Sequence, residues 1–117
     1  MLEDKAKDLG RQIGQSPEYQ ALKRSSDALN EDRDSVALLQ QMEKLRGEAQ
    51  QLIQSGDTPT EEMEKQLDEL LEKIQGQQTY QRAVSAQENF DKLMLRVNQW
   101  IMDGMKKGAA SPIITLS

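Results

Sequence analysis

Apolar residues recur along this chain in steps of three and four, the spacing that lines one face of a helix. Leu2, Ala6, Leu9 and Ile13 form the first such stripe, with Glu3, Asp4, Lys5, Lys7, Asp8 and Arg11 on the remaining surface; Gly14 reads as its stop. Ser16-Pro17-Glu18 then carries the marks of a helix start: a capping hydroxyl, a proline suited to the first helical position and an acid in the first turn. The second helix bears Tyr19, Leu22, Ser26 and Leu29 on one side and is expected to end near Asn30. After the polar corner NEDRDS, where Asp32 or Asp34 can cap, a third helix carries Val36, Leu39, Met42, Leu45, Ala49 and Leu52, widened by Leu38 and Ile53. Gly47 lies inside this pattern at a cost of about 1 kcal/mol relative to alanine, and close packing or a slight bend is the expected reason for it.

Ser55-Gly56-Asp57 ends the third helix. Thr58 and Glu61 match a capping box with Pro59 at the first helical position. The stripe that follows is Met63, Leu67, Leu70 and Ile74. The third and fourth helices are therefore expected to form a long antiparallel hairpin with a turn at 55–58. Gly76-Gln77-Gln78-Thr79 interrupts the pattern, with Thr79 a possible cap for a fifth helix from about Tyr80 to Asp103. Its stripe is Tyr80, Ala83 or Val84, Gln87, Phe90, Leu93 or Met94, Val97, and Trp100 or Ile101. Beyond it, Gly104, Gly108 and Pro112 read as helix breakers. The expected organisation is one helical domain, 1–107, and a flexible tail, 108–117; whether Ile113, Ile114 and Leu116 stay disordered, dock as a strand or plug a groove is open. The fold class is all-α: about five helices, bundle-like and oligomeric.

Composition sharpens this picture. With 117 residues the chain is one domain by length, and its 36% apolar content gives a thin core that helix packing and self-association would both help to bury. The net charge of −5 and a pI of about 4.8 argue against general nucleic-acid binding, which needs a basic footprint. Arg96, Lys106 and Lys107 are the best basic group, and lysines at a helix end complement its dipole. The chain has no Cys and no His, which removes thiol nucleophiles, Ser-His and Cys-His triads, thiolate zinc sites and iron–sulfur ligation. The charged start MLEDKAKDLG is not a signal sequence, and no run approaches the length of a membrane span. Cytoplasmic localisation, no membrane insertion and no cofactor are expected.

Two groups of residues invite a chemical reading. Glu61, Glu62, Glu64, Asp68, Glu69 and Glu72 crowd the fourth helix. The helix start accounts for the first acids, with Glu61 as a capping residue; Glu69 is placed to pair with Lys73 and Glu61 with Lys65; Glu62 and Asp68 face water. A solvated face explains this run better than a metal site, since a bundle di-iron site requires Glu-x-x-His. The second group comprises Tyr19, Tyr80, Phe90, Val97 and Trp100, candidate contacts for a partner or a second copy. Core packing is the plainer role for each of them.

The segment SPEYQALKRSSDALNEDRDSVALLQQMEKLRGEAQQLIQSG, followed by a turn, an acidic helix and TYQRAVSAQENFDKLMLRVNQWI, resembles the YlbF/YmcA family of small bacterial proteins over residues 2–103. The shared features are a Ser-x-Glu-Tyr segment before a short helix, an Asp/Asn-rich corner, a long helix with Leu-Leu and Leu-Arg pairs, and a last helix that opens on Tyr and Ala. The resemblance implies an all-helical, oligomeric, non-catalytic adaptor. It also implies a cytoplasmic complex that supports competence, biofilm formation and sporulation, linked to mRNA processing by the membrane-anchored ribonuclease RNase Y. The partners implied are the chain itself, as a homodimer or higher oligomer built on the third to fifth helices, and family paralogues or RNase Y-associated proteins. Some family members ligate iron–sulfur clusters through Cys; this chain has none, so that property does not carry over.

Two other readings compete. A paralogue that only assembles with itself, or a holdase-like chaperone, fits the helical hairpin and the adaptable side chains of Met42, Met63, Met94, Met102 and Met105. The hairpin turn lacks the Trp-x-Gly of small secreted hairpin proteins. An enzyme acting through carboxylates alone would need a pocket that shifts a pKa, for which a thin helical protein offers little.

Overall fold

The computed structural model describes residues 1–110. Five helices follow one another: α1 (Leu2–Gly14), α2 (Pro17–Glu31), α3 (Arg33–Gln54), α4 (Glu61–Gln75) and α5 (Gln78–Ala109); no strand occurs among the described residues. The chain is all-α. Local chemistry sets most of the boundaries. Ser16 caps α2 by accepting from the Tyr19 amide at 3.1 Å, with Pro17 in the first turn. Of the two candidate caps for α3, Asp32 takes the role through the Ser35 amide.

Three expectations are corrected. Thr60, not Thr58, caps α4, accepting from the Met63 amide at 3.1 Å, and the connection runs through residue 60. Two threonines flank Pro59; starting at Thr60 sets Glu61, Glu62 and Glu64 in the first turn, nearest the positive end of the dipole. It also leaves half-buried Pro59 to line the mouth of the hairpin. Glu61 is therefore the first helical residue rather than part of a capping box. Thr79 lies within α5, whose cap position is Gln77. Gly104 and Gly108 do not break α5, which runs on to Ala109, because about 1 kcal/mol per glycine is too little to stop a helix already propagating. The apolar tail residues Ile113, Ile114 and Leu116 lie outside the described residues.

Packing is helix on helix, in two arms. Most inter-helix contact lies between α2 and α5, and next between α3 and α4; smaller contacts of α2 with α3 and of α4 with α5 join the arms. The radius of gyration is 21.5 Å and the extents are 67 × 37 × 19 Å, where a compact chain of this length would measure about 13 Å in radius of gyration. Among the described residues five apolar ones are buried: Met42 and Leu45 in the hairpin arm, Ile74 at the junction, and Ala86 and Val97 in the α2–α5 arm.

Among the described residues Gly56 alone has a positive φ, at 87°. It closes α3 with paired bonds, its own amide to Ile53 O and the Asp57 amide to Leu52 O, a Schellman end that satisfies the last carbonyls. Gly47 is exposed, with nothing within 4 Å of where a Cβ would stand, so close packing does not explain it. The two glycines should respond oppositely. Gly47→Ala is expected to raise stability by about 0.5–1 kcal/mol. Gly56→Ala is expected to lower it by about 1–2 kcal/mol, the cost of a left-handed residue with a Cβ. Urea unfolding followed by circular dichroism measures both.

Candidate interaction surface

The acids of α4 are the densest acidic group in the sequence. Glu61, Glu62, Glu64, Asp68, Glu69 and Glu72 are all exposed. Neither the Glu61–Lys65 nor the Glu69–Lys73 ion pair forms among the described residues, which corrects the expected pairing. The side-chain pairs that do form are Glu3–Lys7 at 2.9 Å, Asp8–Arg11 at 2.7 Å and Glu18–Arg96 at 3.9 Å. Hydrated carboxylates and lysines on an open helix gain too little from pairing to hold two long side chains still. No group of three or more acids among the described residues converges as a metal site would require.

A polar node joins the two arms. Asp32, half-buried, ends α2 and caps α3; Ser35 is fully buried one turn on; Thr79 comes from the first turn of α5. The Thr79 hydroxyl donates to Asp32 Oδ2 at 2.6 Å, the Ser35 hydroxyl donates to the same oxygen at 2.9 Å, and the two hydroxyl oxygens lie 3.1 Å apart. These bonds, the Thr79 bond foremost and then that from Ser35, hold the Asp32 carboxyl below its ordinary pKa of 3.8. The charge is spent on holding helices together. Sequence reading placed Asp32 as a cap and Thr79 as a cap, but did not bring them together, since they lie 47 positions apart.

The aromatic candidates separate. Tyr19 and Phe90 meet across α2 and α5 with ring centroids 5.6 Å apart at 60°, a packing contact of the tilted kind. Tyr80 is half-buried at the start of α5, and Val97 is only 4% exposed, enclosed by its own chain. Trp100 differs: it is 60% exposed, and with it stand Ile101, Met102 and Met105 on the last turns of α5. Every residue of α5 from 98 to 109 is exposed. At the other end of the chain α1 buries none of its residues, and Leu2 is 85% exposed. Sequence patterning found the α1 stripe and Trp100, and offered Met102 and Met105 only as adaptable side chains for a holdase; with the fifth helix expected to end near Asp103, it did not place Met105 on the same helix.

The hairpin arm carries two shallow open clefts. One, of about 230 Å³, is walled by Leu45, Ala49, Ile53, Pro59, Met63 and Leu67. The other, of about 330 Å³, is edged by Gln41, Lys44, Glu48, Glu69 and Lys73 around Leu45 and Leu70. No helix among the described residues is long and apolar enough to cross a membrane.

The chain is similar to several proteins called UPF0342 protein. That of Limosilactobacillus reuteri is 26% identical over 98 residues, 84% of this chain and 80% of that protein. The Streptococcus sanguinis protein is 29% identical over 100 residues, covering 86% of this chain and 89% of its own length. In the Streptococcus mutans protein identity is 31% over 85 residues, 73% and 75% of the two chains. A family model described as control of competence regulator ComK, YlbF/YmcA, matches residues 2–106, from the exposed start of α1 to the exposed end of α5. That span takes in both arms and the node between them, and the chain belongs to the YlbF/YmcA family.

Proposed function

We propose that the protein is a non-catalytic adaptor that acts through protein–protein contacts. The observation that carries this reading is the set of large apolar side chains left uncovered on the last turns of α5 of an open, extended scaffold. The chain exposes 9389 Å², where a compact chain of 13.3 kDa would expose about 6,500 Å². Leu95, Trp100, Ile101, Met102 and Met105 are exposed on one helix. Large apolar side chains left exposed together at one end of a helix suit an association site, and tryptophan with methionine is the composition that interfaces favour. The clefts are shallow and open, and the carboxylates and lysines at their edges are hydrated, a setting that suits recognition better than catalysis.

Family membership supports a regulatory role, the family description being control of the competence regulator ComK. Within that role, we assign the protein to a cytoplasmic assembly that regulates RNase Y-linked mRNA processing, and through it competence, biofilm formation and sporulation. Its partners are copies of itself, family paralogues and RNase Y-associated proteins. With a net charge of −5, its influence on RNA is exerted through proteins, not through phosphate contacts.

The test is an affinity pull-down of the tagged chain from its own cells, with and without RNase treatment, read by mass spectrometry. Family paralogues and RNase Y components are expected, and they are expected to survive RNase treatment. Recovery of the chain alone with a scatter of unfolded clients would overturn the adaptor role and favour a holdase.

A further inference from the structure

We infer that α1 of one copy docks on the last three turns of α5 of a second copy, and that the exchange is reciprocal, so that two chains close a symmetric dimer. The inference rests on the adaptor reading only for self-association, and adds where it occurs.

Two uncovered faces of matching size lead to it. On α5, Val97, Trp100, Ile101, Gly104, Met105 and Gly108 share one face by helical spacing. Val97 is buried within the chain, while Trp100, Ile101 and Met105 on the same face are 60, 44 and 68% exposed. The face that seats α2 thus continues beyond α2 with nothing on it. The bare segment, residues 98–109, is about 18 Å long at 1.5 Å per residue, and α1 with its 13 residues is about 20 Å. Along α1, Leu2, Ala6, Leu9 and Ile13 form a narrow stripe; Leu2 and Ala6 are exposed and Leu9 and Ile13 only half-buried, although α1 is the most amphipathic of the five helices.

Charge selects the orientation. The first turn of α1 is acidic, with Glu3 and Asp4; the last turn of α5 is basic, with Lys106 and Lys107. An antiparallel pairing brings these two ends together, and sets the positive end of one helix dipole beside the negative end of the other. Gly104 and Gly108, open to solvent at the centre of the α5 face, let a second helix approach closely.

A second copy fits better than the chain's own α1 because the corner between α1 and α2 is fastened. Ser16 donates its hydroxyl to Ile13 O and accepts the Tyr19 amide, while the Gln20 amide group donates to Gly14 O at 2.9 Å. Those bonds set the departure of α1 from α2, and α1 meets the rest of the chain chiefly through α2. Both complementary faces belong to every copy, so a two-fold exchange covers both at once and leaves neither open for a third chain.

The test uses the full chain and light scattering across micromolar concentrations, with Leu2→Glu and Trp100→Glu as interface variants and Ile53→Glu, at the hairpin, as a control. All three positions are exposed, so helicity by circular dichroism should be unchanged. A mass of twice 13.3 kDa is expected for the natural chain and for the Ile53 variant. Each interface variant is expected to raise the dimer Kd by about tenfold or more, as for loss of a buried anchor. The chain has no cysteine, so an equimolar mixture of Asp4→Cys and Lys107→Cys chains reports the pairing directly. A disulfide between the two is expected. A dimer that both interface variants leave intact would overturn this interface while leaving self-association standing. A monomeric natural chain would overturn self-association as well. In a single chain carrying both Asp4→Cys and Lys107→Cys, a disulfide formed at monomer mass would mean that α1 covers its own α5, which also overturns the exchange.

Discussion

Replacing Ile74 with alanine is expected to remove about 2–5 kcal/mol of folding stability, the range for truncating a buried aliphatic side chain to a methyl group. Among the described residues Ile74 is the largest fully buried side chain, at 0% exposure. It ends α4 where a connection of two residues, Gly76-Gln77, hands the chain to α5. The effect would be large in proportion as well as in absolute terms. A chain of this size has about 6–18 kcal/mol in total at ordinary values per residue, and this one draws on five buried apolar residues spread over two arms. Ile53→Ala is the matched control: the same chemistry at 59% exposure, expected to cost less than about 0.5 kcal/mol. Guanidinium unfolding at fixed protein concentration compares the two. If Ile74→Ala cost no more than Ile53→Ala, the junction would not be the centre of the fold.

The helices of this protein were legible in its sequence because each one segregates apolar from polar positions, and because caps are local. Ser16-Pro17 states its role within four residues. Thr58 and Thr60 state the same role twice around one proline, and nothing nearby separates them; the choice depends on how Pro59 and the first acids settle against the hairpin. Gly104 and Gly108 misled for a related reason. Their cost is read from the residue, while the propagation that overcomes it belongs to the whole 32-residue helix.

The candidate surface was half legible. A stripe such as Leu2, Ala6, Leu9 and Ile13 declares an apolar face but not what lies on it, and the same holds for Trp100 against Phe90. Phe90 found Tyr19 on a neighbouring helix, whereas Trp100 lies past the point where α2 begins. Which of two similar stripes is covered depends on the relative lengths and the corner angles of helices, quantities that no periodicity carries. The Asp32–Thr79 contact was illegible for the same reason: it is a meeting of two helix starts, and neither residue's neighbours mention the other.

That contact yields the second large effect, which depends on pH. Thr79→Val keeps the shape of the side chain and removes the hydroxyl that donates to Asp32 Oδ2 at 2.6 Å. The melting temperature at neutral pH is expected to fall by several degrees, since the bond joins α5 to the α2–α3 corner and serves an ionised acceptor. The sign of the pH dependence follows from the direction of the shift. In the folded chain the Asp32 carboxyl titrates below its ordinary 3.8. Its contribution is therefore complete above the unfolded pKa, and it is lost as pH falls through the lower folded value. The natural chain should be the more stable one at pH 7, and the gap to Thr79→Val should narrow between about pH 5 and pH 2. The other 19 acids act on both chains alike, so the difference between the two melting curves isolates this node. Asp32→Asn separates charge from geometry, because asparagine can still cap α3 but cannot lose a charge. Its stability difference from the natural chain should close over the same pH range, as the natural Asp32 becomes neutral too. A gap that stays constant from pH 7 to about pH 2 for both variants would mean that the Asp32 charge contributes nothing and that Thr79 acts by packing alone.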